Sequence, residues 1–523
     1  MFLKKLFNSF SRLEKIILIG AIAVFVLSGS VKAAIYVVSE GELLPERGGR
    51  FVEGVVGQPV FINPIIPTSR VDRDIAELVF SSAKDLADSI KMEEDGKVWT
   101  LRLKEGVLWH DGARVTSDDI LFSLEVLQDV EARSPYFASF QGVAAERISE
   151  LEIKFALQSP YVFFGEENLK LLGVIPKHIF GDIPVQNYKL SALGLRPVGS
   201  GPYKVAGLQQ DSRGVISQME LVAHDKGVEA PNITNFVFKF FKSDEELVQN
   251  YNRGAIDGFG LSIAHGQDLS EGGDIKIRRV VEPIRSLRHY AIFINNSLEI
   301  DALEDGDVRR ALSSTVDRDR IIKEVFGGEA APIYGPTTFV ASDTEEVDLS
   351  VLEGLEFNIT VPDEDFLVKT VEIIEENWEA YGAQVNLLVL PLKDIQEVTL
   401  KTTNYEMLVF GNAVGESYDL FAFWHSLKRF YPDQNLSQYQ SKKIDELLEL
   451  YRSEPDKEAR HEMLSEIGDQ IAADYPAIFL YVPNYMYVHA PRLKGFDSNF
   501  TINSPPDRFG AVGEWYVKTR REF

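Results

Sequence analysis

The spacing of apolar and polar residues predicts alternating strands and helices through most of the chain. The strict alternation at 97–103 is typical of a half-buried strand. Residues 116–119 have the spacing of a capping box, and the apolar residues that follow recur on one helical face. Two apolar runs, 356–361 and 385–390, flank a helical pattern at 365–381. Because parallel strands need such a crossover helix, this unit predicts an α/β lobe.

The length of the chain predicts more than one domain. With 523 residues, it is too long for one ordinary core, and about three domain-sized units are expected. Two different α/β parts are followed by an apolar strand at 477–482 and a returning segment. This order predicts a chain that crosses between two lobes, and such proteins usually bind ligands between the lobes.

The chain begins with a basic flank that contains Lys4, Lys5, Arg12 and Lys15. An apolar segment, 16–38, follows it, and basic residues before such a segment keep that end cytoplasmic. We therefore expect residues 1–15 in the cytoplasm and the remainder exported. Segment 16–38 is long enough to anchor the chain in a bilayer, although the small residues at 31–33 also suit cleavage of a signal sequence. We favour the anchor, followed by a polar linker at 39–50.

Charge and composition exclude several classes of protein. The balance of 80 acidic to 54 basic residues gives a net charge of −26, which repels phosphate backbones, so no nucleic acid partner is expected. The absence of cysteine excludes disulfides, thiolate metal sites and a lipid-modified cysteine. The eight histidines show no metal-binding spacing and there is no G-x-S-x-G motif. We therefore expect no metal, no cofactor and no hydrolase, even though His425 and Ser426 are adjacent.

Five stretches resemble the family 5 extracellular solute-binding proteins, the peptide and nickel binding group of ABC importers. The most specific is WTLRLKEGVLWHDG at 99–112, continued by TSDDILFS at 116–123. The others are PVGSGPYKV at 197–205, IFINN at 292–296 with DVRRAL at 307–312, the segment 405–439, and PAIFLY at 476–481. Together they follow the family's order across most of the chain.

The resemblance implies an α/β, bilobed periplasmic-binding-protein-like fold with an extra subdomain in lobe I and two hinge crossings. The lobe I core would comprise residues 51–75, 191–285 and 483–523, with the extra subdomain at 76–190. Lobe II would comprise residues 286–482.

The resemblance also implies a function. The chain would be a monomeric receptor on the extracytoplasmic face of the membrane, and it would not be an enzyme. It would bind an oligopeptide or similar small solute between the lobes and present it to the permease and ATPase subunits of an ABC-type importer. A membrane-tethered ligand sensor, or a receptor for nickel or a metal chelate, stays as an alternative.

The family's amine-binding aspartate lies in a segment similar to W-G-A-D-Y. Here the matching run, FGNAV at 410–414, has Ala413 at the position of the aspartate. Either Glu416 or Asp419 replaces the charge, or the ligand lacks a free amine. Arg70 would suit a carboxylate, and tyrosines offer contact area with one polar group. The remaining candidate ligand-binding residues are Thr68, Ser69, Asn412, Tyr418, Trp424, Tyr481, Tyr485 and Tyr487.

Overall fold

The computed structural model describes residues 10–40, 42–261, 278–342 and 346–522. Lys4 and Lys5 of the predicted basic flank lie outside these ranges. The strands, in chain order, are β1 (Glu42–Pro45), β2 (Arg50–Val56), β3 (Ala87–Glu93), β4 (Val98–Leu103), β5 (Ala144–Ser149), β6 (Glu152–Ala156), β7 (Tyr203–Gln210), β8 (Ile216–Ala223), β9 (Asn235–Phe241), β10 (Gly258–Leu261), β11 (Val280–Ser286), β12 (Arg288–Ile294), β13 (Ala330–Pro332), β14 (Glu356–Pro362), β15 (Gln384–Leu390), β16 (Met407–Ala413), β17 (Ala477–His489), β18 (Thr501–Ile502) and β19 (Thr519–Glu522).

Helices alternate with these strands, and short 3-10 and π-helical turns connect some of them. The α-helices, in chain order, are α1 (Arg12–Glu40), α2 (Arg70–Val79), α3 (Ala83–Leu86), α4 (Ser117–Gln128), α5 (Phe137–Phe140), α6 (Leu169–Leu171), α7 (Lys177–Phe180), α8 (Asp244–Asn252), α9 (Asp301–Glu304), α10 (Gly306–Ser314), α11 (Arg318–Phe326), α12 (Asp365–Glu379), α13 (Leu392–Asp394), α14 (Leu400–Thr402), α15 (Phe421–Trp424), α16 (Lys442–Ser453) and α17 (Lys457–Asp474).

The local patterns that predicted elements are confirmed where they were strongest. The backbone N–H of Thr116 donates to Asp119 at 2.9 Å, which forms the predicted capping box of α4. Strands β14 and β15 are parallel and are joined by α12, as the βαβ pattern predicts. The predicted strand at 477–482 is longer than expected, because β17 continues to His489.

One long sheet passes through both lobes in the order β15-β14-β16-β12-β17-β10-β2-β9-β8-β7. The first half of β17 pairs with β12 and β13, and from Asn484 onward β17 pairs with β11. Strands β11 and β12 are separated by Leu287 alone. The chain therefore crosses between the lobes at two adjacent places, which is the bilobed α/β architecture.

Each lobe buries both faces of its part of the sheet. In lobe I, one face contributes Phe51 to a core that includes Trp515 and is shared with the extra subdomain, and the other face packs against α8. In lobe II, one face packs against α10, α11 and α12, and the other packs against α16 and α17. The extra subdomain adds an antiparallel sheet in the order β3-β4-β6-β5.

The N-terminal region differs from a helix followed by an unstructured linker. Within the predicted linker 39–50, β1 pairs antiparallel with β19, and Glu42 lies opposite Glu522. Before it, residues 12–30 of α1 form a 19-residue segment with a mean hydropathy of 1.9, none of it buried. It is the one helix of the described ranges long and apolar enough to cross a membrane, and a signal sequence has the same properties.

Candidate ligand site

Two tyrosines on β17, Tyr485 and Tyr487, lie across the neighbouring strand β10. The space for their rings exists because β10 carries glycine at both facing positions. A Cβ atom on Gly260 would lie 1.5 Å from the Tyr485 Oη, and one on Gly258 would lie 2.7 Å from the Tyr487 Oη. Both tyrosines are buried, with 6% and 0% of their surface exposed.

Tyr487 belongs to a buried charge cluster beneath the sheet. Its hydroxyl donates to Glu53 at 2.8 Å, and the Arg508 guanidinium donates to Glu53 and Asp74 at 3.0 Å each. Burial raises the pKa of Glu53 to about 7, because loss of solvation outweighs the attraction of Arg508. The Tyr487 hydroxyl therefore already has a hydrogen-bond partner within the protein.

The predicted candidates Thr68 and Ser69 form the cap of α2. The Thr68 hydroxyl donates to Asp72 at 2.6 Å, and the Ser69 hydroxyl accepts from the Asp72 N–H at 3.0 Å. Asp72 also accepts the backbone N–H groups of Val60 and Phe61. Thr68 and Ser69 thus stabilise the loop before α2.

On lobe II, the predicted carboxylates Glu416 and Asp419 lie in one loop but in different surroundings. The Asp419 Oδ2 lies 3.1 Å from the Arg452 Nε, and its Oδ1 accepts the Phe421 N–H. Glu416 is exposed, and the Thr501 hydroxyl of lobe I reaches it at 3.5 Å. Asp419 is therefore neutralised within the protein, whereas Glu416 keeps its charge accessible.

The same loop contacts the extra subdomain of lobe I. The Ser417 N–H donates to the Glu167 Oε1 at 2.9 Å, and the Arg452 guanidinium lies 4.6 Å from the centre of the Tyr161 ring. Burial raises the pKa of Glu167. Gly415 has a φ of +74°, which favours glycine, and a Cβ there would lie 2.9 Å from the Glu167 Oε1.

These contact residues were not selected from the sequence. The aromatic run YVFF at 161–164 was the one local signal, and its pattern fits a core as well as a contact surface. Arg452 lies on a helix whose sequence reads as an ordinary amphipathic one. Nothing in the sequence alone indicates that these two segments meet.

A buried histidine, His289, lies beside the loop and was also missed. It is opposite the candidate Asn412 in the β12–β16 register, close to the end of β16. The His289 Nδ1 donates to the Pro336 carbonyl at 3.1 Å, and its ring lies 6.0 Å from that of Tyr418. Burial lowers the pKa of His289 to about 4, so the ring is neutral at physiological pH. Tyr418 itself has a φ of +52°, unusual for a residue with a side chain.

Trp424 and Tyr481 are both buried in lobe II, and their role in ligand binding stays a prediction. Trp424 is 3% exposed and packs on Phe293 and Phe479 in the core of lobe II. The Tyr481 hydroxyl lies 2.9 Å from that of Thr370, and its ring packs inside the same lobe. These two side chains, like that of Tyr487, already have packing or hydrogen-bond partners within the protein. We therefore leave all three out of the candidate site. Within the described ranges, no group of three or more potential ligands is placed to hold a metal ion.

Comparison with known proteins agrees with this architecture. The chain is 22% identical over 501 residues to the oligopeptide-binding protein AppA of Bacillus subtilis, covering 86% of this chain and 89% of that protein. The structure of AppA with a nonapeptide superposes with a TM-score of 0.70 at 20% identity, covering 91% of this chain and all of that one. The substrate-binding protein CtaP of Listeria monocytogenes gives a TM-score of 0.75 at 21% identity, covering 90% of this chain and all of that one.

The family assignment follows from a direct match. Residues 83–431, more than half of the chain, match the model of the bacterial extracellular solute-binding proteins, family 5. The matched range runs from the extra subdomain of lobe I into the second half of lobe II. The chain is therefore a member of family 5 of the bacterial extracellular solute-binding proteins.

Proposed function

We propose that the chain is the receptor of an ABC-type importer and binds a peptide between its lobes without changing it chemically. The observation that carries this proposal is that the loop containing Glu416 and Ser417 contacts lobe I at Thr501 and Glu167. A hinged pair of lobes that meets in this way encloses whatever lies between them, and closure is a ligand-driven shift of population. The nonapeptide complex of AppA supports a peptide as the guest.

We propose Glu416 as the group that binds the amino terminus of the peptide. A zwitterionic ligand needs a carboxylate for its ammonium group, and a charge-assisted bond of this kind is stronger than a neutral one. Asp419 already pairs with Arg452, whereas Glu416 is exposed at the junction of the lobes. The position of the missing family aspartate is thus served from three residues further along the chain.

After binding, the receptor would deliver its ligand to the permease and ATPase subunits of the importer. In this proposal α1 stays in the bilayer as an anchor, and the lobes face the extracytoplasmic side as a monomer. A sensor would bind the same ligand in the same way. Reconstitution with a permease and an ATPase separates the two, because only an importer moves labelled peptide into vesicles.

Titration of the full-length protein in detergent with peptides of defined length tests the receptor and the amine site together. We expect Glu416→Gln to weaken binding by about tenfold or more, because a hydrogen bond to a charged group is lost. N-acetylated peptide should show the same loss in the wild-type protein and no further loss in the variant. Mass spectrometry should recover the peptide unchanged.

Asp419→Asn provides the matched control in the same loop. We expect it to keep the preference for a free amine, even where the weaker contact with Arg452 lowers affinity. If Asp419→Asn abolishes that preference and Glu416→Gln retains it, the amine site belongs to Asp419. Failure of all free peptides to bind, or recovery of cleaved peptide, would contradict the receptor itself.

A further inference from the structure

Two buried polar atoms in lobe I lack a hydrogen-bond partner among the described residues. Across the described ranges, neither the Tyr485 Oη nor the Arg70 Nε makes a hydrogen bond, although both atoms are shielded from solvent. Tyr485 as a whole is only 6% exposed. An unsatisfied buried polar group costs about 1–3 kcal/mol. Two such atoms in lobe I indicate a partner that the described residues do not supply.

The pair lies where open α/β sheets bind their ligands. Strands β2, β9 and β10 are mutually parallel, and ligands of such sheets bind outside the carboxyl ends of the strands. Gly57 follows β2 directly, and a Cβ there would lie 3.1 Å from the Val71 side chain, which places the start of α2 at this end. The Tyr485 hydroxyl lies over Gly260, near the end of β10.

The groups available at this position are hydrogen-bond donors and positively charged groups. Burial raises the pKa of Tyr485, while the nearby guanidinium groups of Arg508 and Arg70 act in the opposite direction, so the hydroxyl keeps its proton. The Arg70 guanidinium offers a planar set of donors. The first turn of α2 adds the positive end of a helix dipole.

The acidic residues of this region are already occupied. Asp72 accepts from two backbone N–H groups and the Thr68 hydroxyl. Asp74 and Glu53 share Arg508. Arg70 is therefore not neutralised by the carboxylates around it, and an anionic guest would complete its hydrogen bonds.

We propose that Arg70, Tyr485 and the first turn of α2 form a subsite for a carboxylate of the bound ligand. The proposal rests on the receptor function above and adds the second end of the ligand to it. The ammonium group would lie at Glu416 on lobe II and the carboxylate on lobe I, so the ligand would connect the two lobes.

The width of the sheet between Glu416 and the proposed subsite sets the length of peptide that can reach both. Glu416 contacts Thr501 of β18, and β18, β11, β17 and β10 are successive neighbours in the sheet. Three spacings of about 4.8 Å give a span of about 14 Å. An extended peptide covers about 3.4 Å per residue, so a terminal carboxylate at this subsite fits a peptide of about four residues. A longer peptide would place an aspartate or glutamate side chain there.

The test uses the detergent-solubilised full chain and three probes of defined chemistry. These are tetraalanine with a free carboxylate, its carboxamide, and nonapeptide carboxamides with a single glutamate at varied positions. We expect the wild-type protein to prefer the acid over the amide by about tenfold or more. Arg70→Gln and Tyr485→Phe should both reduce that preference, whereas Arg50→Gln, which removes an exposed charge from the opposite end of β2, should retain it.

The outcomes separate the subsite from the receptor. A nonapeptide carboxamide that binds only when it carries glutamate, and loses this dependence in Arg70→Gln, supports the subsite with a side chain as the source. Equal binding of acid and amide, with no gain from any glutamate, overturns the subsite and leaves the receptor standing. Failure of every probe to bind contradicts the receptor, and the subsite falls with it.

Discussion

Tyr485 and Tyr487 are alike in position and burial but differ in the hydrogen bonding of their hydroxyl groups. They are two residues apart on one face of β17, each crosses a glycine of β10, and each is buried. The Tyr487 hydroxyl donates to Glu53, whereas that of Tyr485 has no partner in the part of the chain that the structure describes. Burial would assign both to the core. Hydrogen-bond partners, and not exposure, distinguish the structural tyrosine from the one we assign to the ligand.

The largest effect should come from removal of the cation below Tyr487. Arg508→Met leaves Glu53 and Asp74 buried without their shared guanidinium. Breaking a buried ion pair in this way costs about 3–5 kcal/mol of unfolding free energy, which urea denaturation measures. Arg213→Met, at an exposed position, serves as the control and should change little. A loss below about 1 kcal/mol would show that the cluster contributes little to stability.

A matched pair of tyrosine variants tests the comparison directly. Tyr487→Phe removes a donor from a carboxylate, and we expect a loss of about 1.5–3 kcal/mol in unfolding free energy. Tyr485→Phe removes a hydroxyl without a partner among the described residues, so the unfolding free energy should stay the same or rise slightly. Urea denaturation of the ligand-free protein measures both. Equal losses would place the two tyrosines in the same structural role.

The third effect concerns the pH dependence of stability. The pKa of Glu53 is raised from 4.5 to about 7 by burial, despite Arg508 and Tyr487 and with Asp74 adding to the rise. The folded state therefore holds its proton more tightly than the unfolded state, and the contribution of Glu53 is lost as pH rises from 4.5 to about 7. Glu53→Gln should flatten this decline in urea denaturation. A steeper decline in the variant would contradict the sign.

The fold could be predicted because its signals are local or recur in the family. The capping box at Thr116 and the strand–helix–strand unit at 356–390 depend on residue spacing that nearby residues enforce. The length of β17 was underestimated, since nothing at Pro483 indicates that the strand continues into the other lobe. The pairing of β1 with β19 joins segments more than 470 residues apart and leaves no local pattern.

The candidate site was less predictable, because the role of each residue depends on distant partners. Glu416 and Asp419 look alike in sequence, and only the position of Arg452 separates them. Trp424 has the composition of a ligand-contact residue but packs on Phe479 from a strand far along the chain. Arg70 and Tyr485 were both selected, yet the position of the Tyr485 ring depends on glycine at position 260, on a third segment.

The antiparallel pairing of β1 with β19 limits how far the lobes can move from the end of α1. Helix α1 ends at Glu40 and β1 begins at Glu42, so a single residue links a retained helix to the first strand of the body. If the membrane holds residues 12–30 of the anchored form proposed above, the ten helical residues beyond them would add a stalk of about 15 Å. In the anchored form proposed above, the receptor would search a thin layer above the bilayer, which would raise its local concentration at any transporter in the same membrane.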